Sequence, residues 1–188
     1  REHLHAIALR QQPLGPAAEA TRLVRLVLMD ADGVLTDGRS IVFADGNDAR
    51  SYHARDGLAV RIGQNGGLEF GVVSGRGSNA VASRAQELDF VEIHQKVAAK
   101  GACVEEIARR RGLRLEEICF VGDDIVDVPA FRRCGFAVAP KDADPEVFAH
   151  VHHVGASAGG RGIVREVVDL ILHAHGSWDA ATAAYLKE

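Results

Sequence analysis

Leu23-Val24-Arg25-Leu26-Val27-Leu28-Met29-Asp30-Ala31-Asp32-Gly33-Val34-Leu35-Thr36 (residues 23–36) decides the fold. Its first half is a short, nearly continuous apolar run, which reads as a strand buried on both faces. Similar runs follow at Leu68 to Val73, Phe90 to Ile93, Ile118 to Val121, Phe136 to Val138 and, weakly, Val151 to Val154. Helix-length segments lie between them: Gly57 to Asn65, Ser78 to Leu88, Val97 to Arg111, Val126 to Cys134 and Ile163 to His175. Gly112 is a helix stop. Short apolar strands alternating with helices predict an α/β fold, a doubly wound parallel sheet covered on both faces. One insertion breaks the alternation. Arg39 to Phe43 and Ala49 to His53 read as two short strands around Asp45-Gly46, a hairpin turn signal. A hairpin there would project from the mouth of the sheet.

In open parallel sheets, ligands bind beyond the carboxyl ends of the strands. The first strand is followed by Asp30 and Asp32, the second by Ser74-Gly75-Arg76, and the fourth by Gly122-Asp123-Asp124, with Asp127 further on. Lys100 sits on the helix after the third. Carboxylates, a hydroxyl and a lysine thus converge on one edge from four segments. Converging carboxylates repel one another unless a cation offsets them. Asp30, Asp123 and a backbone carbonyl of the first loop form a hard oxygen set of the kind magnesium takes, together with waters and a substrate phosphate. Lys100, Ser74 and the amides around Gly33 and Gly75 supply donors for phosphate oxygens.

The arrangement suits phosphoryl transfer to an aspartate. Asp30 is the candidate nucleophile and Asp32 the candidate acid and base. Residues two apart on a strand end face the same side, so both can address one phosphate. Lys100 and the cation would hold charge on the equatorial oxygens.

Composition sets the frame. The chain has 188 residues, 22 Lys+Arg and 26 Asp+Glu, a net charge of -4. That length predicts one domain with a sizeable core. No apolar run approaches the roughly 20 residues of a spanning helix, and the mildly acidic balance argues against nucleic acid as the main ligand. Cys103, Cys119 and Cys134 are odd in number and widely spaced. They fit a reducing, cytoplasmic compartment and read as small buried apolar residues. The start at Arg1 predicts a trimmed chain. Residues 1–22 read as a polar tail or short helix rather than a secretory signal. Residues 177–188 read as a terminal helix or tail. The catalytic domain is expected over 23–176, with the hairpin insertion at about 37–54.

Simpler roles compete at several positions. Ser74 could cap the helix that follows it, and Lys96 competes with Lys100. Asp124 and Asp127 read as supporting hydrogen-bond partners. Arg55 and Arg161 read either as surface residues or as partners of a substrate acid group, because arginine suits bidentate recognition of a carboxylate or phosphate. Asp37 and Asp56 read as loop residues. The nine histidines, including His150, His152, His153, His173 and His175, read as surface groups. Arg109-Arg110-Arg111 reads as a solvated helix end.

Four segments taken in order, Asp30 to Gly38, Val73-Ser74-Gly75-Arg76, Lys100, and Gly122 to Asp127, resemble the four motifs of the haloacid dehalogenase-like phosphatases. The likeness covers roughly Leu23 to Gly176. Arg55-Asp56-Gly57 and Gly159-Gly160-Arg161-Gly162 are similar to the small branch without a cap domain. The resemblance implies a Rossmann-like sheet with a hairpin insertion, and magnesium held by Asp30, the Asp32 carbonyl and Asp123. It also implies a homotetramer built through the hairpins, in which a neighbouring chain covers each site. Arg76 and Arg161 resemble the type that acts on 3-deoxy-D-manno-octulosonate 8-phosphate, which implies that Arg76 too contacts the substrate; the type acting on nonulosonate 9-phosphates tends to carry Glu at both places. A non-catalytic oligomerisation domain of the same lineage is a further alternative. A receiver-type signalling domain fits less well, because its phosphorylated Asp follows the third strand, where this chain has no Asp.

Overall fold

The computed structural model describes residues 16–187. The expectations for residues 1–15 and for Glu188 lie outside the described residues. The elements in chain order are α1 (Pro16–Thr21), β1 (Leu26–Met29), β2 (Ile41–Val42), β3 (Asp48–Ala49), α2 (Ala54–Asn65), β4 (Glu69–Val73), α3 (Asn79–Glu87) and β5 (Glu92–His94). There follow α4 (Lys100–Arg111), β6 (Ile118–Val121), α5 (Val128–Phe131), β7 (Phe136–Ala139), β8 (His153–Val154), α6 (Ile163–His175) and α7 (Trp178–Leu186).

Six strands form one sheet in the order β5-β4-β1-β6-β7-β8, every pair parallel. β2 and β3 pair antiparallel as a separate hairpin. The strand period of two sorts each apolar run onto two faces. Val27 and Met29 join Phe70, Val72, Val121 and Val138 under α2, α3, α6 and α7. Leu26 and Leu28 join Phe120 and Ala137 under α4 and α5. Truncating Leu28 or Phe120 to Ala would cost roughly 2–5 kcal/mol. The doubly wound sheet and the cap-free plan read from the sequence hold.

The structure moves several boundaries. Leu23 is exposed behind α1, so β1 starts at Leu26. α4 starts at Lys100, because Val97 is tied back to the Ser74 carbonyl and Lys96 has φ of 58°. The segment from Val126 to Cys134 is a single-turn 3₁₀ piece, Ile125–Asp127, leading into the short α5, with Pro129 in its first turn. Only two residues per strand pair in the hairpin, and the chain leaves the ladder at Arg50. α4 ends at Gly112 in a left-handed cap, as the sequence predicts. Residues 178–186 form a helix packed on α2 and α6.

Arg109-Arg110-Arg111 is only partly a solvated end. Arg110 and Arg111 reach Glu92, at 2.5 and 3.2 Å, and Arg111 also reaches Glu69 at 2.6 Å. A glutamate buried in a strand needs such partners. Several histidines are also engaged. His152 Nδ1 accepts from the Ala137 amide, His153 lies 3.3 Å from Glu166, and His173 stacks on Trp178. Cys119 is buried, whereas Cys103 and Cys134 are half-buried.

Candidate active site

The first loop is built by one wide turn. Thr36 N–H donates to the Ala31 carbonyl, five residues back, and Asp30 Oδ1 accepts from the Ala31 amide at 2.7 Å. Gly33 takes φ of 86°, and a Cβ there would sit 2.0 Å from Asp123 Oδ2. Only glycine therefore lets the loop meet the β6 end. Gly159 closes the loop from behind, where a Cβ would lie 1.9 Å from the Gly33 carbonyl oxygen.

One carboxylate oxygen from each of Asp30, Asp123 and Asp127 lies within 4.8 Å of the others. Lys100 Nζ stands between two of these residues, 2.8 Å from Asp30 Oδ2 and 2.6 Å from Asp127 Oδ1, and the residue is 3% exposed. Asp127 is fully buried and spends its other oxygen on the Asp123 and Asp124 amides. Asp124 caps the 3₁₀ turn through the Ile125 amide. These contacts fit the supporting roles expected of Asp124 and Asp127.

Three carboxylates face one lysine. Burial pushes Asp30 up to about 6, against the pull of Lys100. Burial, then Asp30 and Asp127, push Asp123 up to about 8. Burial pulls Lys100 down, but Asp30 and Asp127 outweigh it and hold the ammonium above its ordinary value. Asp123 Oδ1 is buried and has no hydrogen-bond partner. A buried acceptor without a partner is costly, and a hard divalent cation between Asp30 and Asp123 would satisfy it. The donor set fits magnesium on the chemistry of its own oxygens.

Ser74 is buried at the end of β4, and its Oγ accepts from the Arg76 amide at 3.2 Å. The helix cap that competed for Ser74 belongs instead to Ser78, whose Oγ accepts from Val81 N–H. Gly75 is exposed beside it. Lys96 is exposed in the loop after β5, so the lysine of the cluster is Lys100. Of the three arginines, Arg76 is brought to the site, with Nη1 3.8 Å from Asp32 Oδ2. Arg161 lies 3.6 Å from Asp37, beside the first loop, and Arg55 is exposed in the first turn of α2.

Two functional features escape the sequence reading. Asp56 is no loop residue; it lies in α2, buried, and accepts from the Gly162 and Arg165 amides at the start of α6. Burial raises its carboxyl despite those bonds. Arg50 carries no motif in the sequence, yet its Nε donates to Asp32 Oδ1 at 2.8 Å. An arginine leaving a hairpin two residues after an aspartate was the only available signal.

Comparison with known proteins agrees with this geometry. A model of the haloacid dehalogenase-like hydrolases matches residues 78–167. The chain is 34% identical over 158 residues to the 3-deoxy-D-manno-octulosonate 8-phosphate phosphatase of Salmonella typhi, covering 84% of each chain. It is 35% identical over 153 residues to the enzyme of the same name from Haemophilus influenzae, covering 81% of this chain and 85% of that one. The crystal structure of 3-deoxy-D-manno-octulosonate 8-phosphate phosphatase from Moraxella catarrhalis, in complex with magnesium ion, phosphate ion and KDO, superposes with a TM-score of 0.87. Identity there is 30%, over 90% of this chain and 97% of that one. With its parallel sheet, its carboxylate cluster at the strand ends and these relatives, the chain belongs to the haloacid dehalogenase-like hydrolases, as a phosphoric monoester hydrolase of the cap-free branch.

Proposed function

We propose that the chain hydrolyses a sugar-acid phosphate, 3-deoxy-D-manno-octulosonate 8-phosphate, with magnesium and through an aspartyl phosphate on Asp30. The observation that carries this is the cluster itself: Asp30 and Asp123 bring carboxylate oxygens together, one buried oxygen of Asp123 has no partner, and Lys100 touches Asp30. Held by Asp30, the Asp32 carbonyl and Asp123, magnesium would offset the carboxylates and the charge on phosphoryl oxygens.

The remaining chemistry is the work of the chain. A carboxylate oxygen of Asp30 attacks phosphorus, and the bond from phosphorus to the sugar oxygen breaks. Asp32 gives its proton to that departing oxygen. In the second half, Asp32 takes a proton from water as the water oxygen attacks phosphorus. The Asp30 carboxylate and inorganic phosphate are released. Lys100, Ser74 and the Gly75 amide hold the phosphoryl oxygens. Asp124 and Asp127 hold the loop and the lysine. Arg76, beside Asp32, is the first candidate for the sugar carboxylate, with Arg55 and Arg161 as the others. Asp32→Asn should lose turnover by about 10²–10⁴-fold while magnesium still binds. Wild-type turnover in that variant would contradict the assignment.

The unit is expected to span residues 23–176, with the hairpin at 37–54. The hairpin carries Ile41, Val42 and Phe43 side by side, 63, 64 and 52% exposed. Such a row on a projecting turn supports association of hairpins into a homotetramer, with a neighbour closing each site. A fully active monomer by light scattering would contradict that. No described helix is long and apolar enough to cross a membrane, and we place the enzyme in the cytoplasm, without a nucleic-acid or membrane partner.

The substrate is tested by a turnover panel of 2-keto-3-deoxy sugar phosphates with magnesium, including eight- and nine-carbon acids. The eight-carbon 8-phosphate should give the highest kcat/KM. Comparable rates on unrelated phosphate esters, or preference for the nine-carbon acid, would contradict it.

A further inference from the structure

We propose that Arg50, on the strand end of the hairpin, is a positioning residue for Asp32, holding one carboxylate oxygen so that the other serves the leaving group and then the water. The inference rests on the phosphatase reading above.

Arg50 leaves the hairpin ladder and turns inward; its side chain is 1% exposed. Nε donates to Asp32 Oδ1 at 2.8 Å. Nη1 lies 2.6 Å from Asp48 Oδ2 and donates to the Ala49 carbonyl at 3.4 Å. Asp48 is itself fixed, because Ser78 Oγ donates to its Oδ2 at 2.8 Å. Ser78 in turn caps α3. The guanidinium is therefore anchored to the hairpin base and to the loop that follows Ser74. A staple within the hairpin would be complete with Asp48, which shares its element. Arg50 also reaches a carboxylate two residues from Asp30, on a different segment.

The geometry has a chemical consequence. A free aspartate side chain turns among its rotamers and exchanges its two oxygens. Asp32 must release a proton to the sugar oxygen as the bond to phosphorus breaks, and then take one from the attacking water. With Oδ1 occupied by a charged donor, both transfers use Oδ2, the oxygen on the Arg76 side. A fixed orientation removes the entropy of finding it. The cation is not interchangeable with a neutral residue, because the bond it donates is charge-assisted and directional.

The test compares two esters by kcat/KM, which reads transfer to Asp30. An alkyl ester, the sugar phosphate, needs its departing oxygen protonated. An aryl ester with an acidic phenol, p-nitrophenyl phosphate, does not. Arg50→Met should lower kcat/KM on the alkyl ester by about 10–100-fold, a part of what general acid catalysis contributes, and on the aryl ester by less than about threefold. Arg50→Lys keeps the charge with a shorter reach and should show the same selective loss, smaller in size. It serves also if the methionine variant fails to fold, as judged by circular dichroism. Adding Arg50→Met to Asp32→Asn should cost nothing further on the alkyl ester.

An equal loss on both esters would overturn the proposal, as would additive losses in the double variant. A wild type that hydrolyses neither ester with magnesium would overturn the phosphatase reading and this role with it. Turnover of both esters by the wild type, with equal losses in the variants, would overturn the role alone.

Discussion

Two buried charge clusters occupy opposite ends of the sheet and are composed in opposite ways. At the carboxyl ends of β1 and β6, Asp30, Asp123 and Asp127 face one lysine. Near the amino ends of β4 and β5, Glu92 and Glu69 face Arg110, Arg111 and His94. The first cluster is short of positive charge. Asp30 and Asp123 are driven up, and one buried oxygen, Asp123 Oδ1, has no partner. The second has its charge met. Burial alone would raise Glu92, but bonds from His94, Arg110 and Arg111 hold it below its ordinary value. Both clusters cost desolvation. Each leaves one buried polar atom without a partner, Asp123 Oδ1 in the first and Arg111 Nε in the second, but only the first carries an excess of negative charge, which a bound cation would offset. The second is structural, joining α4 to the sheet edge.

The difference can be broken from either side. Asp30→Asn should lower kcat by more than about 10⁴-fold, since it removes the proposed nucleophile. It should leave the metal-free chain at least as stable as wild type, because one repelling carboxylate is removed. Asp123→Asn should abolish the stabilisation that magnesium gives. It should also raise the metal-free Tm by a few degrees, on the order of 2–4 °C for each kcal/mol regained. Scanning calorimetry with and without magnesium checks both. A lower metal-free Tm in either variant would mean that the cluster is a stabilising network. Glu92→Gln should do the reverse. It should cost about 1–2 kcal/mol, because partly exposed arginines lose a shared partner, and leave kcat unchanged.

The two regions should also respond to pH with opposite sign. The folded values of Asp30, about 6, and Asp123, about 8, lie above the ordinary 3.8. The folded chain therefore holds protons that the unfolded chain has already released. Metal-free stability should fall as pH rises from about 4 toward 8, and magnesium should flatten that fall. Glu92 lies below the ordinary 4.5, so its contribution is complete above that pH and is lost as pH falls through its folded value. Urea midpoints at several pH values, for wild type, Asp123→Asn and Glu92→Gln, separate the two slopes.

The same contrast explains what the sequence discloses. Apolar runs announce their strands because burial on both faces leaves few other options, so the sheet and the residues at its carboxyl edge are legible. Asp30, Asp123 and Lys100 stand out because the topology alone brings them together. Glu92 is hidden inside the apolar run from Phe90 to Ile93, and its arginines lie on the next helix. Their meeting depends on the angle at which α4 crosses the sheet. Arg50 and Asp56 are hidden for the same reason. Each acts on a segment distant in sequence, Asp32 and the start of α6, and no local period encodes that contact. The exposed end of a helix and a buried ion cluster look alike at Arg109-Arg110-Arg111.

The central claim is that Asp30 carries the phosphoryl group. Asp32→Asn treated with p-nitrophenyl phosphate and magnesium tests it directly, because the first transfer proceeds with an acidic phenol while the attacking water lacks its base. Acid quenching and peptide mass spectrometry should find phosphate on the peptide that holds Asp30, in step with a burst of phenol. Phenol release with no phosphorylated peptide, or phosphate on another residue, would contradict the account.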